Sequence, residues 1–213
     1  MSQPKLALEY FNAQGRAEVA RAAFWIGGVE FDDVRISHEQ FAANKAAGKY
    51  PRGQVPVLSV DGEVIPQSSA IVRYAATRAG IHPTDPLLAL RVDSYNESIN
   101  DLVLAVAATF YVSDEERQAL RQKIAQDKLP ELLGYFQKAV AGKKFLVGDQ
   151  LTTADLSLLI VVKGWVSSGI LDHIPATVID SFPGLLAYFA ALEEVPAIQK
   201  YRAASEAAKK AVA

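Results

Sequence analysis

The stretch LALEYFNAQGRAEVARAAF, residues 6–24, decides how this chain begins to fold. A short apolar run ends at Tyr10, and the turn-like residues Asn12-Ala13-Gln14-Gly15 follow. From Arg16 the pattern changes period: Ala17, Ala20 and Phe24 fall on one helical stripe, and Gly27-Gly28 supplies a stop. A strand therefore delivers a tyrosine to the mouth of a helix. Downstream, FDDVRI (31–36) alternates as a strand does. VPVLSVDGEVIPQS (55–68) places apolar runs on either side of Asp61-Gly62, a hairpin signal. SSAIVRYAATRAG (68–80) reads as a helix with serine at its start and Gly80 at its stop. The order is β-α-β-loop-β-β-α, a small mixed sheet with helices on it.

From about residue 85 the strand signals cease. Residues 87–112, 115–142 and 153–169 read as long helices, with shorter ones after them, and Pro130 is expected to kink or split the second. Strands and helices in separate blocks predict two domains, 1–80 and 87–213, joined by the linker IHPTDP at 81–86. The Ala/Lys-rich tail reads as a fraying helix end. Thr152 with Asp155 three residues on, ahead of an apolar run, is a capping box.

Bulk properties exclude several classes. The 213 residues are 50% hydrophobic and 22% charged with a net charge of -2, ordinary for a soluble globular protein. No basic cluster interleaved with aromatics suggests nucleic acid as a partner. Apolar runs such as Leu158–Val162 are far too short to span a bilayer, and polar residues from Lys5 onward interrupt any signal-like segment, so a cytoplasmic location is expected. There is no cysteine, which removes disulfides, thiol nucleophiles and thiolate metal sites together. His38, His82 and His173 are scattered without ligand-like spacing, so no metal is expected. Any nucleophile must be another group or a borrowed reagent.

Three further features bear on chemistry. Val55-Pro56 precedes a strand; alone it reads as a loop proline, whereas a cis peptide there would turn the Val55 backbone toward a peptide-like ligand. Ser68 and Ser69 stand at a helix start, where free N–H groups suit a carboxylate, although a serine there can be a plain N-cap. Tyr10 by itself reads as packing.

Taken together, YFNAQGRAE, GQVPVL and QSSAIVRY, followed by an all-helical second half, resemble the cytosolic glutathione transferases, most closely the sigma-type branch that includes the glutathione-dependent prostaglandin D synthases. The resemblance covers essentially the whole chain. It implies a thioredoxin-like α/β N-terminal domain and an all-α C-terminal domain. It also implies glutathione as cosubstrate, its thiol activated by the Tyr10 hydroxyl for attack on small hydrophobic electrophiles, with hydroperoxide reduction as a side activity. A free thiol ionises near a pKa of about 8.5, so a donor that prefers the charged sulfur raises the thiolate population.

Carried over residue by residue, Tyr10 and Arg16 would be catalytic. Phe11, Phe41, Lys45, Gln54, Val55, Pro56, Gln67 and Ser68 would bind glutathione. Asp101 would reach the γ-glutamyl amine held by a partner subunit, which makes the working unit a homodimer. Ala13, Gln14, Phe110, Tyr111 and Trp165 would line the acceptor pocket. The chain departs from the family pattern at Phe41, where sigma-type enzymes commonly have Trp, and at Arg52, where several classes place an aromatic dimer key. Residues 41–54 form a segment about two residues longer, which leaves Lys45 and Lys49 as alternatives. Prostaglandin D synthase-like isomerisation and non-catalytic ligand carriage are the competing readings.

Overall fold

The computed structural model describes residues 3–210. Strand β1 (Leu6–Phe11) leads through a 3-10 turn, Gly15–Ala17, into α1 (Glu18–Gly27). Then come β2 (Asp32–Ile36), α2 (His38–Ala46), β3 (Val57–Val60), β4 (Glu63–Pro66) and α3 (Ser68–Arg78). The sheet order is β2-β1-β3-β4, with β1 parallel to β2 and antiparallel to β3, and β3 antiparallel to β4.

The period-2 alternation of β1 sorts its side chains. Leu6 and Leu8 join Ala20, Phe24, Ile71 and Ala75 in a core beneath α1 and α3, with Tyr10 packed against its rim. Phe11 points to the opposite face, where Ile36, Tyr50 and Val57 form a smaller core. Helix α2 lies where the sequence reading has only a loop. No residue of it is buried, so it shows no apolar stripe; its legible signal is the capping box between Ser37 and Gln40.

The helices after β4 are α4 (Pro86–Ala108), α5 (Asp114–Lys123), α6 (Leu129–Val140), α7 (Thr153–Ser157), α8 (Gly164–Ser167), α9 (Pro183–Glu193) and α10 (Pro196–Lys210). Pro130 does not split its helix. A π-helical segment, Ile124–Lys128, carries α5 into α6, with the Leu129 N–H donating to the Ile124 carbonyl five residues back. A second π segment, Leu158–Lys163, joins α7 to α8. No helix among the described residues is long and apolar enough to cross a membrane.

Two compact units result. One runs to His82 and takes in the chain from Pro196; the other is Pro83–Val195. The first division falls within the expected linker. The second differs from the sequence reading, which keeps residues 87–213 together. Its reason is chemical: the Lys200 ammonium donates to the Ile26 carbonyl, and the Tyr201 and Ser205 hydroxyls donate to Glu18, so α10 belongs with α1. The expected fraying of the tail past Lys210 lies outside the described residues.

The second unit is organised by a buried polar knot. Asp155 accepts from the Leu146 N–H at 2.8 Å, from the Thr152 N–H at 2.8 Å and from the Thr152 hydroxyl at 3.0 Å. The Tyr188 hydroxyl donates to it at 2.5 Å. Burial pushes the Asp155 carboxyl above the usual range, and these donors pull it back. Asp155→Ala strands several buried donors, so it is expected to cost about 3 kcal/mol, read as a lower urea midpoint.

Candidate active site at the end of the sheet

Sheet register brings distant segments to one edge. Glu9 stands opposite Val57, and Val57 opposite Pro66. The next residues outward are Tyr10 and Phe11 on β1, Pro56 and Val55 ahead of β3, and Gln67 and Ser68 after β4. Val55-Pro56 is a cis peptide. All six expected glutathione-binding residues of these three segments therefore share the edge where α1 and α3 begin.

Tyr10 is held tightly there. The Arg16 N–H, in the turn ahead of α1, donates to the Tyr10 hydroxyl oxygen at 3.4 Å. That leaves the phenolic proton to be given elsewhere. Gly15 has φ +41°, and a Cβ on it would lie 2.5 Å from the Tyr10 oxygen, so only glycine fits under the ring.

The loop itself hangs on Arg21, a residue the sequence reading passed over. Its side chain is fully buried. Nη1 donates to the Ala13 carbonyl at 2.7 Å and to Glu18 at 3.2 Å, Nη2 to the Phe11 carbonyl at 3.4 Å, and Nε to Asp33 at 2.8 Å. Its guanidinium also lies 5.9 Å from the centre of the Tyr10 ring. Arg35 shares Asp33 and donates to the Asn12 side chain at 3.1 Å. The loop from Phe11 to Ala13 is thus fastened at three successive residues by two arginines and one aspartate.

On the other face, Phe11 stands 5.3 Å from Phe41 and 4.6 Å from His38, ring to ring. The Lys45 ammonium lies 5.8 Å over the Phe41 ring, and its Cε sits 3.1 Å from where a Cβ of Gly53 would be. Lys45 thus lies alongside Gly53, the neighbour of Gln54. Lys49 is engaged differently: its ammonium pairs with Glu9 at 2.6 Å. Glu9 is buried, and it also accepts from the Tyr50 hydroxyl and from Asn44.

The start of α3 is open. Its N-cap is Gln67, at φ +84° and ψ +105°, and no side chain caps the first turn. Neither Ser68 nor Ser69 serves as the N-cap. Such a terminus offers free N–H groups and the positive end of the helix dipole to an anion.

The remaining expected residues lie apart in the chain. Ala13 is exposed and Gln14 half-buried in the β1–α1 loop. Asp101 is exposed on α4. Phe110 and Tyr111 form the 3-10 turn after α4 and are both exposed, and Trp165 is half-buried in α8. Beneath Phe110, the sequence reading missed Arg121. It is buried, donates to the Thr109 hydroxyl at 2.8 Å, pairs with Asp172, and lies 4.9 Å under the Phe110 ring. Burial lowers its pKa, as does neighbouring Arg117.

Comparison with known proteins gives consistent results. The family model for the "Glutathione S-transferase, N-terminal domain" matches residues 6–77, and that for the "Glutathione S-transferase, C-terminal domain" matches residues 100–205. The chain is 33% identical over 200 residues to hematopoietic prostaglandin D synthase of Gallus gallus, covering 92% of this chain and 94% of that protein. It is 29% identical over 203 residues to glutathione S-transferase A4 of Mus musculus, covering 94% and 88% respectively. The solved structure of prostaglandin synthase D of Nilaparvata lugens superposes with a TM-score of 0.80 at 26% identity, covering 93% of this chain and 96% of that one.

The Glu9 cluster yields a pH prediction. Burial, and then the hydrogen bond to Glu9, push the Tyr50 phenol from 10.0 up to about 12. The folded phenol ionises later than the unfolded one, so its contribution to stability is complete below about pH 10 and lost as the pH rises to about 12. Urea midpoints measured across that interval are expected to fall less steeply for Tyr50→Phe than for the wild type.

Proposed function

The chain belongs to the glutathione S-transferase family, and from that premise we propose that it joins the glutathione thiol to small apolar electrophiles, with Tyr10 as the donor that stabilises the thiolate. The observation that carries this reading is the Tyr10 hydroxyl accepting the Arg16 N–H, at the sheet edge that also holds the uncapped start of α3.

The chemistry follows from the charges. The γ-glutamyl carboxylate is taken by the backbone N–H and hydroxyl of Ser68, with Gln67 beside it. Val55 pairs its backbone with the cysteinyl unit, and Phe11 and Phe41 wall the site. Lys45 and Gln54 hold the glycyl end; Lys49 is spoken for by Glu9, which favours Lys45 of the two. The cysteinyl sulfur then lies over Tyr10. A phenol that already accepts one N–H keeps its proton for the sulfur, and Arg16 adds positive charge nearby. The thiol proton passes to solvent. The sulfur lone pair forms the S–C bond, and in a substitution the leaving group departs with its bonding electrons. Ala13 and Gln14, in the β1–α1 loop, flank the acceptor on the side of Tyr10.

The assembly is proposed as a homodimer in which Asp101 reaches the glutathione amine of the partner. Exposed Leu87 and Leu90, one turn apart near the start of α4, support a buried role for that helix, and Arg52 gives the contact a polar component. A second reading, glutathione-dependent isomerisation, draws support from the likeness to two prostaglandin D synthases.

Two predictions test the assignment. A thiol pKa lowered by about two units corresponds to about 2.7 kcal/mol of preference for the thiolate. Tyr10→Phe is therefore expected to lose at least about 20-fold in conjugation of an aryl halide at pH 7. Retention on immobilised glutathione is expected to persist. Wild-type protein that is retained yet turns over no electrophile would indicate a carrier, and one that is not retained would remove the glutathione site altogether. Lys45→Ala, losing one charge-assisted contact, is expected to raise the KM for glutathione about tenfold. Lys49→Ala is expected to change KM by less than about twofold and to lower stability instead, because it leaves Glu9 buried without its cation.

A further inference from the structure

Glu18 is a buried carboxylate in the first turn of α1, 1% exposed, and its two oxygens face in different directions. Oε2 meets Nη1 of Arg21 at 3.2 Å. Oε1 accepts the Tyr201 hydroxyl at 3.1 Å and the Ser205 hydroxyl at 2.9 Å, from residues 183 and 187 positions further along the chain. We propose that Tyr201 and Ser205, on α10, are positioning residues for thiol activation, acting through Glu18 and Arg21 on the loop that carries Tyr10. The inference rests on the role of Tyr10 given above and adds a control element to it.

The coupling is forced by shared donors. Nη1 of Arg21 serves both Glu18 and the Ala13 carbonyl. A buried ion pair repays its desolvation only when the remaining lone pairs are also satisfied. Without the two hydroxyls, Oε1 has lost both of the donors that α10 supplies. The carboxylate must then turn toward Arg21 or admit water, and either change competes with Ala13 for Nη1. The same guanidinium holds the Phe11 carbonyl and lies beside the Tyr10 ring. A disturbance at Glu18 therefore reaches the loop that directly follows Tyr10, at Phe11 and Ala13. Thiol activation needs the phenol placed to within a fraction of an ångström.

Docking of α10 has other supports besides these hydroxyls. The Tyr201 ring stacks on Trp25 at 6.2 Å, and the Lys200 ammonium donates to the Ile26 carbonyl at 3.1 Å. Tyr201→Phe keeps the ring, and Ser205→Ala removes one oxygen.

The test compares wild type, Tyr201→Phe, Ser205→Ala and the double variant, each saturated with glutathione. The thiolate absorbance of the bound cosubstrate is followed against pH, alongside kcat, the KM for glutathione and thermal stability. In the double variant the bound thiol is expected to titrate about half a unit higher, roughly a threefold loss of thiolate below that point. The expected kcat at pH 6.5, close to the wild-type thiol's own ionisation, falls about twofold, and KM changes by less than about twofold. Should the double variant not fold, the single variants are expected to show the same displacement at smaller amplitude. Folded variants whose thiol titration and kcat match the wild type overturn the inference, whatever their thermal stability. A wild type that leaves bound glutathione protonated overturns the Tyr10 reading and this inference with it; ionisation that is unaltered in every variant overturns only the latter.

Discussion

One buried ion pair, Glu18 with Arg21, sets the shape of the site. Removing a carboxylate and a guanidinium from water is costly, and the protein offsets that cost by filling nearly every remaining hydrogen-bonding position around them. Two hydroxyls from α10, two loop carbonyls and Asp33 complete the set. Each of these partners is thereby held in place, and the loop carbonyls belong to Phe11 and Ala13, in the turn that follows Tyr10. The second unit repeats the device with Asp155, whose donors come from three separate parts of the chain. In both units one buried acidic side chain gathers donors from separate parts of the chain.

The cosubstrate brings the nucleophile, so the protein needs no thiol of its own. On the function proposed above, what it contributes is placement: a phenol with its oxygen already accepting one bond, a helix start left uncapped, and a lysine laid alongside a glycine. These are arrangements of ordinary groups at the ends of regular elements. A rigid sheet supplies the common edge on which they meet.

Much of this was legible in the chain. The alternation of β1, the Asp61-Gly62 turn and the stripe of α1 predicted the mixed sheet, and Thr152 with Asp155 announced the cap that the structure contains. The positions around Tyr10 and Gln67 were found through their likeness to a family, since each alone reads as packing or capping. Helix α2 was missed because none of its residues is fully buried and the half-buried Phe41 is not enough to give it an apolar period. Arg21 was missed for the opposite reason. An arginine in an amphipathic helix reads as solvent-facing, and its burial depends on an aspartate twelve residues away and on α10, nearly two hundred residues beyond Glu18. Local pattern carries no record of such partners. The place of α10 with the first unit escaped on the same ground.

That return of the chain has a consequence for how the molecule comes into being on the ribosome. The segment bearing Tyr10 is translated ahead of the helical unit, yet the hydroxyls that donate to Glu18 emerge only after that unit has been made. Until then Glu18 on α1 lacks the two donors that α10 supplies, and the loop after Tyr10 has only part of its bracing. Helix α10 acts as a keystone, and the turn after Tyr10 gains its full bracing only once that helix has emerged.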